Sequence, residues 1–138
     1  MNIVLDTKVL VSALKSRLGA SFQIIERIVS KKICPAVTTP LLIEYESVLR
    51  RPGLLPASLS NRDSGRFLDW FTYSASHHRV HYLWRPTLPD LNDDLVLEAA
   101  FAANASYIVT FNSRQFQPAI EYGIVVLTPS QFLRHLKS

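Results

Sequence analysis

Four carboxylates and one amide stand where oxygen ligands could do chemistry. Asp6 closes the apolar run Ile3-Val4-Leu5, and Glu44 interrupts the apolar stretch Leu41-Leu42-Ile43. Asp93 and Asp94 follow a proline-containing stretch, and Asn112 comes just after Tyr107-Ile108-Val109-Thr110. Hard divalent cations such as Mg²⁺ and Mn²⁺ take oxygen donors of this kind, usually a few carboxylates with waters and phosphate oxygens. Each residue also has an ordinary reading. Asp93 and Asp94 suit a helix start, where the dipole favours negative charge. Glu44 suits a solvated helix face, Asp6 a cap and Asn112 a turn. The set carries meaning only if the fold gathers it on one side.

The order of elements predicts that it does. Residues 2–6 read as a buried parallel strand. Val9 to Lys15 suits a helix, and Ser21 is the expected cap of a second one with apolar Phe22, Ile24, Ile25, Ile28 and Val29. A strand is expected at Ile33–Val37. The next helix is capped by Thr38 or Thr39, carries Pro40 in its first turn and stops before Pro52. Residues 51–59 read as a loop and Asn61–Ser74 as a helix. Further strands are expected at Val80–Leu83, Tyr107–Thr110 and Ile124–Leu127, with a loop at Pro86 and Pro89. Helices are expected at Leu95–Ala103 and, from the Thr128 cap, at Pro129–Leu136. Alternating β and α predicts an α/β fold, a mostly parallel sheet of about five strands flanked by helices. In such sheets ligands sit at the carboxyl ends of the strands, where Asp6, Asn112 and the helix starts converge.

Composition narrows the class. The 138 residues suit one domain, 1–138, and at 48% hydrophobic they can bury a core without staples. No apolar stretch approaches the roughly 20 residues that span a bilayer. The opening residues lack the pattern of a signal peptide, and a cytoplasmic location without membrane attachment is expected. Cys34 is the one cysteine, so no intramolecular disulfide forms, and it reads as a buried strand thiol. The net charge of +4 is a modest bias toward polyanions, with its basic residues scattered. No glycine-rich phosphate loop and no Gly-x-Ser-x-Gly elbow occurs. The histidines have no cysteine partners at zinc spacing, and His77 and His78 read as exposed beside a strand. Trp70, Phe71 and Tyr73 read as core.

Several motifs, taken in order, are similar to those of the PIN-domain family. Ile-Val-Leu-Asp-Thr-Lys-Val-Leu-Val-Ser-Ala-Leu (3–14) resembles the family's opening Asp-Thr-Asn-Val-Leu-Val-Ser-Ala. Leu-Ile-Glu-Tyr-Glu-Ser-Val-Leu-Arg-Arg-Pro (42–52) looks like the second motif and carries Glu44. Asp-Leu-Asn-Asp-Asp-Leu-Val-Leu-Glu-Ala-Ala (90–100) resembles the third, with Asp94 at the helix start. Tyr-Ile-Val-Thr-Phe-Asn-Ser-Arg-Gln-Phe (107–116) resembles the fourth, and Gly-Ile-Val-Val-Leu-Thr-Pro-Ser-Gln-Phe-Leu (123–133) the closing strand and helix. The resemblance covers almost the whole chain and is strongest to VapC-like toxin components of toxin–antitoxin systems.

That resemblance implies a Rossmann-like PIN fold and a metal-dependent ribonuclease. In that reading Asp6, Glu44 and Asp94, with Asp93 alongside, hold one or two Mg²⁺ or Mn²⁺ ions, and Asn112 takes the fourth acidic position. Thr7, Lys8, Thr110 and Arg114 would contact the substrate, a single-stranded or structured RNA. A cognate antitoxin protein and a homodimer are implied as partners. Two positions depart from the family's pattern. Lys8 stands where Asn is usual, and its ammonium can offset the charge that attracts a cation, hold the scissile phosphate or turn to solvent. Asn112 is neutral where an acid is common, and its amide oxygen ligates without adding charge. A PIN protein that binds RNA or a partner without cleaving it is the alternative expectation.

Overall fold

The apolar run Asn2–Leu5 forms strand β1, and Ile3, Val4 and Leu5 have no exposed surface. A strand so buried must be covered on both faces, and β1 is the central strand of the sheet. The chain is seen here as a computed structural model that describes residues 2–80 and 90–137. Cys34–Val37 (β2) and Tyr107–Val109 (β4) flank β1. Ser76–His77 (β3) and Val125–Leu127 (β5) lie outside them, giving the order β3-β2-β1-β4-β5 with every pairing parallel.

The register sets the site. Leu5 lies opposite Val109, and Val109 opposite Leu127. The next residues, Asp6, Thr110 and Thr128, therefore stand in a row. The ladder continues one step further, since Asp6 N–H donates to the Val109 carbonyl and Thr110 N–H to that of Leu127, both at 2.9 Å.

Helices cover the sheet: α1 (Thr7–Lys15), α2 (Ala20–Val29), α3 (Thr39–Leu49), α4 (Asn61–Ser74), α5 (Leu91–Ala103), α6 (Gln117–Glu121) and α7 (Pro129–Lys137). Helices that link parallel strands run back against them. The first turns of α1, α3 and α5 thus lie at the rim where β1, β2 and β4 end. Tyr45, Phe71, Phe116 and Phe132 are the largest fully buried apolar side chains of the core. Among the described residues no helix is long and apolar enough to cross a membrane.

Most expected elements form, with corrections that have local causes. Helix α1 begins at Thr7 rather than Val9, because Asp6 is already extended and its carbonyl accepts Val9 N–H at 2.9 Å. Helix α5 begins at Leu91 rather than Leu95, because the Asp90 side chain caps it by accepting Asn92 N–H at 2.9 Å. Ser21 is not a cap: it is buried inside α2, whose cap residue is Gly19. The Thr38 side chain does cap α3, accepting Leu41 N–H at 3.3 Å. Ser60 and Asp63 form a reciprocal capping box on α4 that holds the Asp63 carboxyl below its ordinary range. Val80 lies outside any strand, and the rest of the expected Val80–Leu83 strand and the Pro86–Pro89 loop fall outside the described residues. The edge strand is instead β3, two residues long. The 3₁₀ turn Ser113–Phe116 and the five-residue α6 are too short to leave a periodic pattern in sequence.

Candidate active site

Asp6 is 4% exposed at the end of β1. Its Oδ2 accepts a hydrogen bond from the Thr110 hydroxyl at 2.7 Å. Thr110 is fully buried at the end of β4, and its Oγ1 also accepts Asn112 N–H at 3.1 Å. One hydroxyl therefore ties together the ends of two adjacent strands and the turn after the second. Beneath Asp6, the buried Tyr45 hydroxyl donates to the carbonyl of Leu5. Burial and the Asp6 charge push the Tyr45 phenol well above its ordinary pKa, so it stays a donor.

The first turn of α5 brings further carboxylates to the same place. Asp93 and Asp94 are 7% and 1% exposed. The Asp93 carboxyl is pushed up to about 6, first by burial and then by the negative charges of Asp6, Asp90 and Asp94. Burial also raises the Asp6 carboxyl. The Thr110 hydroxyl, the Lys8 charge and the N–H groups of Lys8 and Thr7 offset only part of that rise. Lys8 itself is exposed, and its charge favours ionisation of both Asp6 and Asp93. It acts on the cluster from the solvent side.

The remaining candidates divide. Asn112 is exposed but joined to Asp6 through Thr110. Thr7 is buried with its Oγ1 free of any hydrogen-bond partner among the described residues. Glu44 is half-buried on α3, a helix that packs on α1 and α5, and its Oε1 is buried without a hydrogen-bond partner. Arg114 lies exposed on the 3₁₀ turn, and no contact described here joins it to the carboxylates.

Sequence reasoning missed two residues. Tyr45 directly follows Glu44, and its aromatic side chain gave no sign of bonding to β1. Glu98 is 2% exposed one turn beyond Asp94 on α5. Its signal was visible as the lone acid in Leu95-Val96-Leu97-Glu98-Ala99-Ala100. Elsewhere Tyr73 is 91% exposed and Trp70 only half-buried, so of the expected aromatic core on α4 Phe71 alone is fully buried. Cys34 is half-buried, not buried.

The donor chemistry fits a hard divalent cation. Burial raises both the Asp6 and the Asp93 carboxyls, and the Asp6 charge raises Asp93 further, which a cation would relieve; Glu44 Oε1 is a buried acceptor without a hydrogen-bond partner among the described residues. A closed ligand shell is not formed: among the described residues no three His, Cys, Asp or Glu side chains stand together in a way that would hold a metal ion.

A family model described as PIN domain matches residues 2–114, and the chain belongs to that family. PIN domains are typically nucleases and generally metal-dependent. Among solved structures, VapBC2 from Rickettsia felis bound to a DNA fragment from their promoter is similar at 18% sequence identity and a TM-score of 0.59. That match covers 92% of this chain and 97% of the other, and at such identity the likeness is one of fold. No curated protein matches.

Proposed function

We propose that this chain is a metal-dependent endoribonuclease acting as the toxin of a type II toxin–antitoxin pair. The observation that carries the nuclease reading is a set of acids at one rim, where Asp93, raised first by its burial in the first turn of α5, also feels the negative charges of Asp6, Asp90 and Asp94. Acids that are buried and repel one another at a strand-end rim are the kind of group found at functional sites. Membership of the PIN family supports phosphodiester hydrolysis. The toxin role, with a cognate antitoxin and a homodimer as partners, draws its support from the fold match to VapBC2 and the VapC-like motifs. A cytoplasmic site of action goes with that role.

In this reading Asp6, Glu44, Asp94 and Asp93 would hold Mg²⁺ or Mn²⁺, which when bound supplies charge neutralisation and an activated water. Thr110 does the positioning. Its hydroxyl fixes Oδ2 of Asp6 and favours the ionised carboxylate. The Asn112 backbone is tied to the same hydroxyl, and its side chain would offer an uncharged oxygen donor. Thr7 and Arg114 are assigned to the RNA backbone, while the Lys8 charge acts on Asp6 and Asp93.

The test is incubation of the purified protein with a mixed-sequence single-stranded RNA in Mn²⁺, in Mg²⁺ and in EDTA. Cleavage that needs metal and is lost in Asp94→Asn supports the reading, and cleavage that persists in EDTA overturns it. A second reading, a PIN protein that binds RNA or a partner without cleaving, is favoured by one observation. Lys8 already neutralises part of the charge on Asp6 and Asp93, doing some of a cation's work. Retained RNA binding without cleavage in any metal would select it.

A further inference from the structure

The rim has two flanks that the carboxylates leave unused. On the β4 side, Phe111 follows Thr110 directly and is 51% exposed. Single exposed apolar residues are common and need no function. This one is held in place on both sides. Thr110 N–H is bonded to Leu127, Asn112 N–H to Thr110 Oγ1, and Gln115 N–H to the Asn112 carbonyl at 3.1 Å. The turn that ties the Asn112 backbone to the Thr110–Asp6 pair thus also holds the exposed Phe111 next to Thr110, and no ring contact engages Phe111 among the described residues.

On the β3 side lies a groove of about 450 Å³ lined by Thr39, Pro40, His77, His78, Arg79 and Val80. Among the described residues no acid lines it, in contrast to the neighbouring cluster. The His77 ring is bound to the Thr72 carbonyl at 2.9 Å and the His78 ring to Ser76 Oγ at 2.9 Å, so both imidazoles are fixed. Arg79 is exposed at its mouth. From β3 to β4 the rim crosses three interstrand steps, roughly 14 Å in all. Asp6, at the end of β1, lies between the two flanks.

We infer that a nucleic-acid strand crosses the rim from the Arg79 groove, over Asp6, to Phe111. Phe111 is the platform for one unpaired base beside the carboxylates, and Arg79 takes a backbone phosphate on the other flank. A base can reach that ring only when it is unstacked from its neighbour and free of a pairing partner, so Phe111 is a specificity-determining residue for single strands. Arg79 contributes charge without regard to base or pairing. This rests on the nuclease reading for its substrate, but its test reads binding and not cleavage.

The experiment is fluorescence anisotropy in EDTA with a short labelled single-stranded RNA and with the same RNA as a blunt duplex. Wild type, Phe111→Ala, Phe111→Tyr and Arg79→Ala are compared after their melting temperatures confirm folding. Phe111→Ala should weaken single-strand binding roughly tenfold and duplex binding less than about twofold, and Phe111→Tyr should bind as wild type. Arg79→Ala should weaken both and reduce the salt slope by about 0.7. Unchanged binding in Phe111→Ala, an equal loss on the duplex, or no RNA binding by wild type overturns the assignment. Phe111-dependent binding without cleavage in Mn²⁺ supports the assignment while removing the nuclease reading. Cleavage by wild type with unaltered Phe111→Ala binding does the reverse.

Discussion

Thr110 Oγ1 donates to Asp6 Oδ2 at 2.7 Å while accepting the N–H of Asn112 at 3.1 Å. Two residues 104 apart in sequence become neighbours because β1 and β4 pair in parallel and end level. Thr110→Val keeps the shape and removes both bonds. Loss of a buried, charge-assisted hydrogen bond should cost about 2 kcal/mol in urea denaturation, with Thr110→Ser recovering most of it. The hydroxyl holds the Asp6 pKa down, so its removal raises that pKa. Any activity that needs ionised Asp6 should then fall away at a higher pH on the acid limb, which a pH–rate profile of the variant would read.

Asp93 carries a signature in the metal-free protein. Its folded-state pKa, about 6, lies above the ordinary value of 3.8, so the native state binds more protons than the unfolded state between these values. Stability therefore falls as pH rises through this window, and the full penalty is present above pH 6. In EDTA the contribution of Asp93 to the melting temperature should improve on going from pH 7 to pH 5. Asp93→Asn should be more stable than wild type at pH 7 and lose that advantage near pH 4. Thermal melts of both proteins across the range check the sign.

Lys8 makes the opposite electrostatic contribution. Its charge favours ionisation of Asp6 and Asp93 and competes with any cation they bind. Lys8→Asn should lower metal-free stability at pH 7, by less than about 1 kcal/mol because the side chain is exposed. Mn²⁺-dependent cleavage should increase, by roughly threefold to tenfold at low salt and less at high salt. Parallel assays of the two proteins at two ionic strengths would show it.

Much of this was legible in sequence, and the exceptions share a cause. That Asp6 ends a strand and Asp94 opens a helix is readable in sequence because an apolar run ending on an acid, and acids opening a helix, are local patterns. The parallel sheet followed from alternating elements. What failed depended on the fold. Strand β3 has two residues and no period to detect, and it exists through its pairing with Ala36 and Val37. Tyr73 shares α4 with Phe67 and Phe71 but turns away from the face that packs on Tyr45. Glu98 is the lone acid of an apolar run, but its burial follows only from the packing of α5. The approach of Asp93 to Asp6 needed α5 to run back to the rim, which motif order implied but no residue pattern could measure.

The most direct measurement is calorimetric titration of the metal-free protein with Mn²⁺ at pH 7, for wild type, Asp6→Asn and Asp94→Asn. The account predicts saturable binding by wild type that is at least about tenfold weaker in each variant. Binding that is equal in all three proteins, or missing from wild type, would contradict the claim that this rim is built to hold a divalent cation.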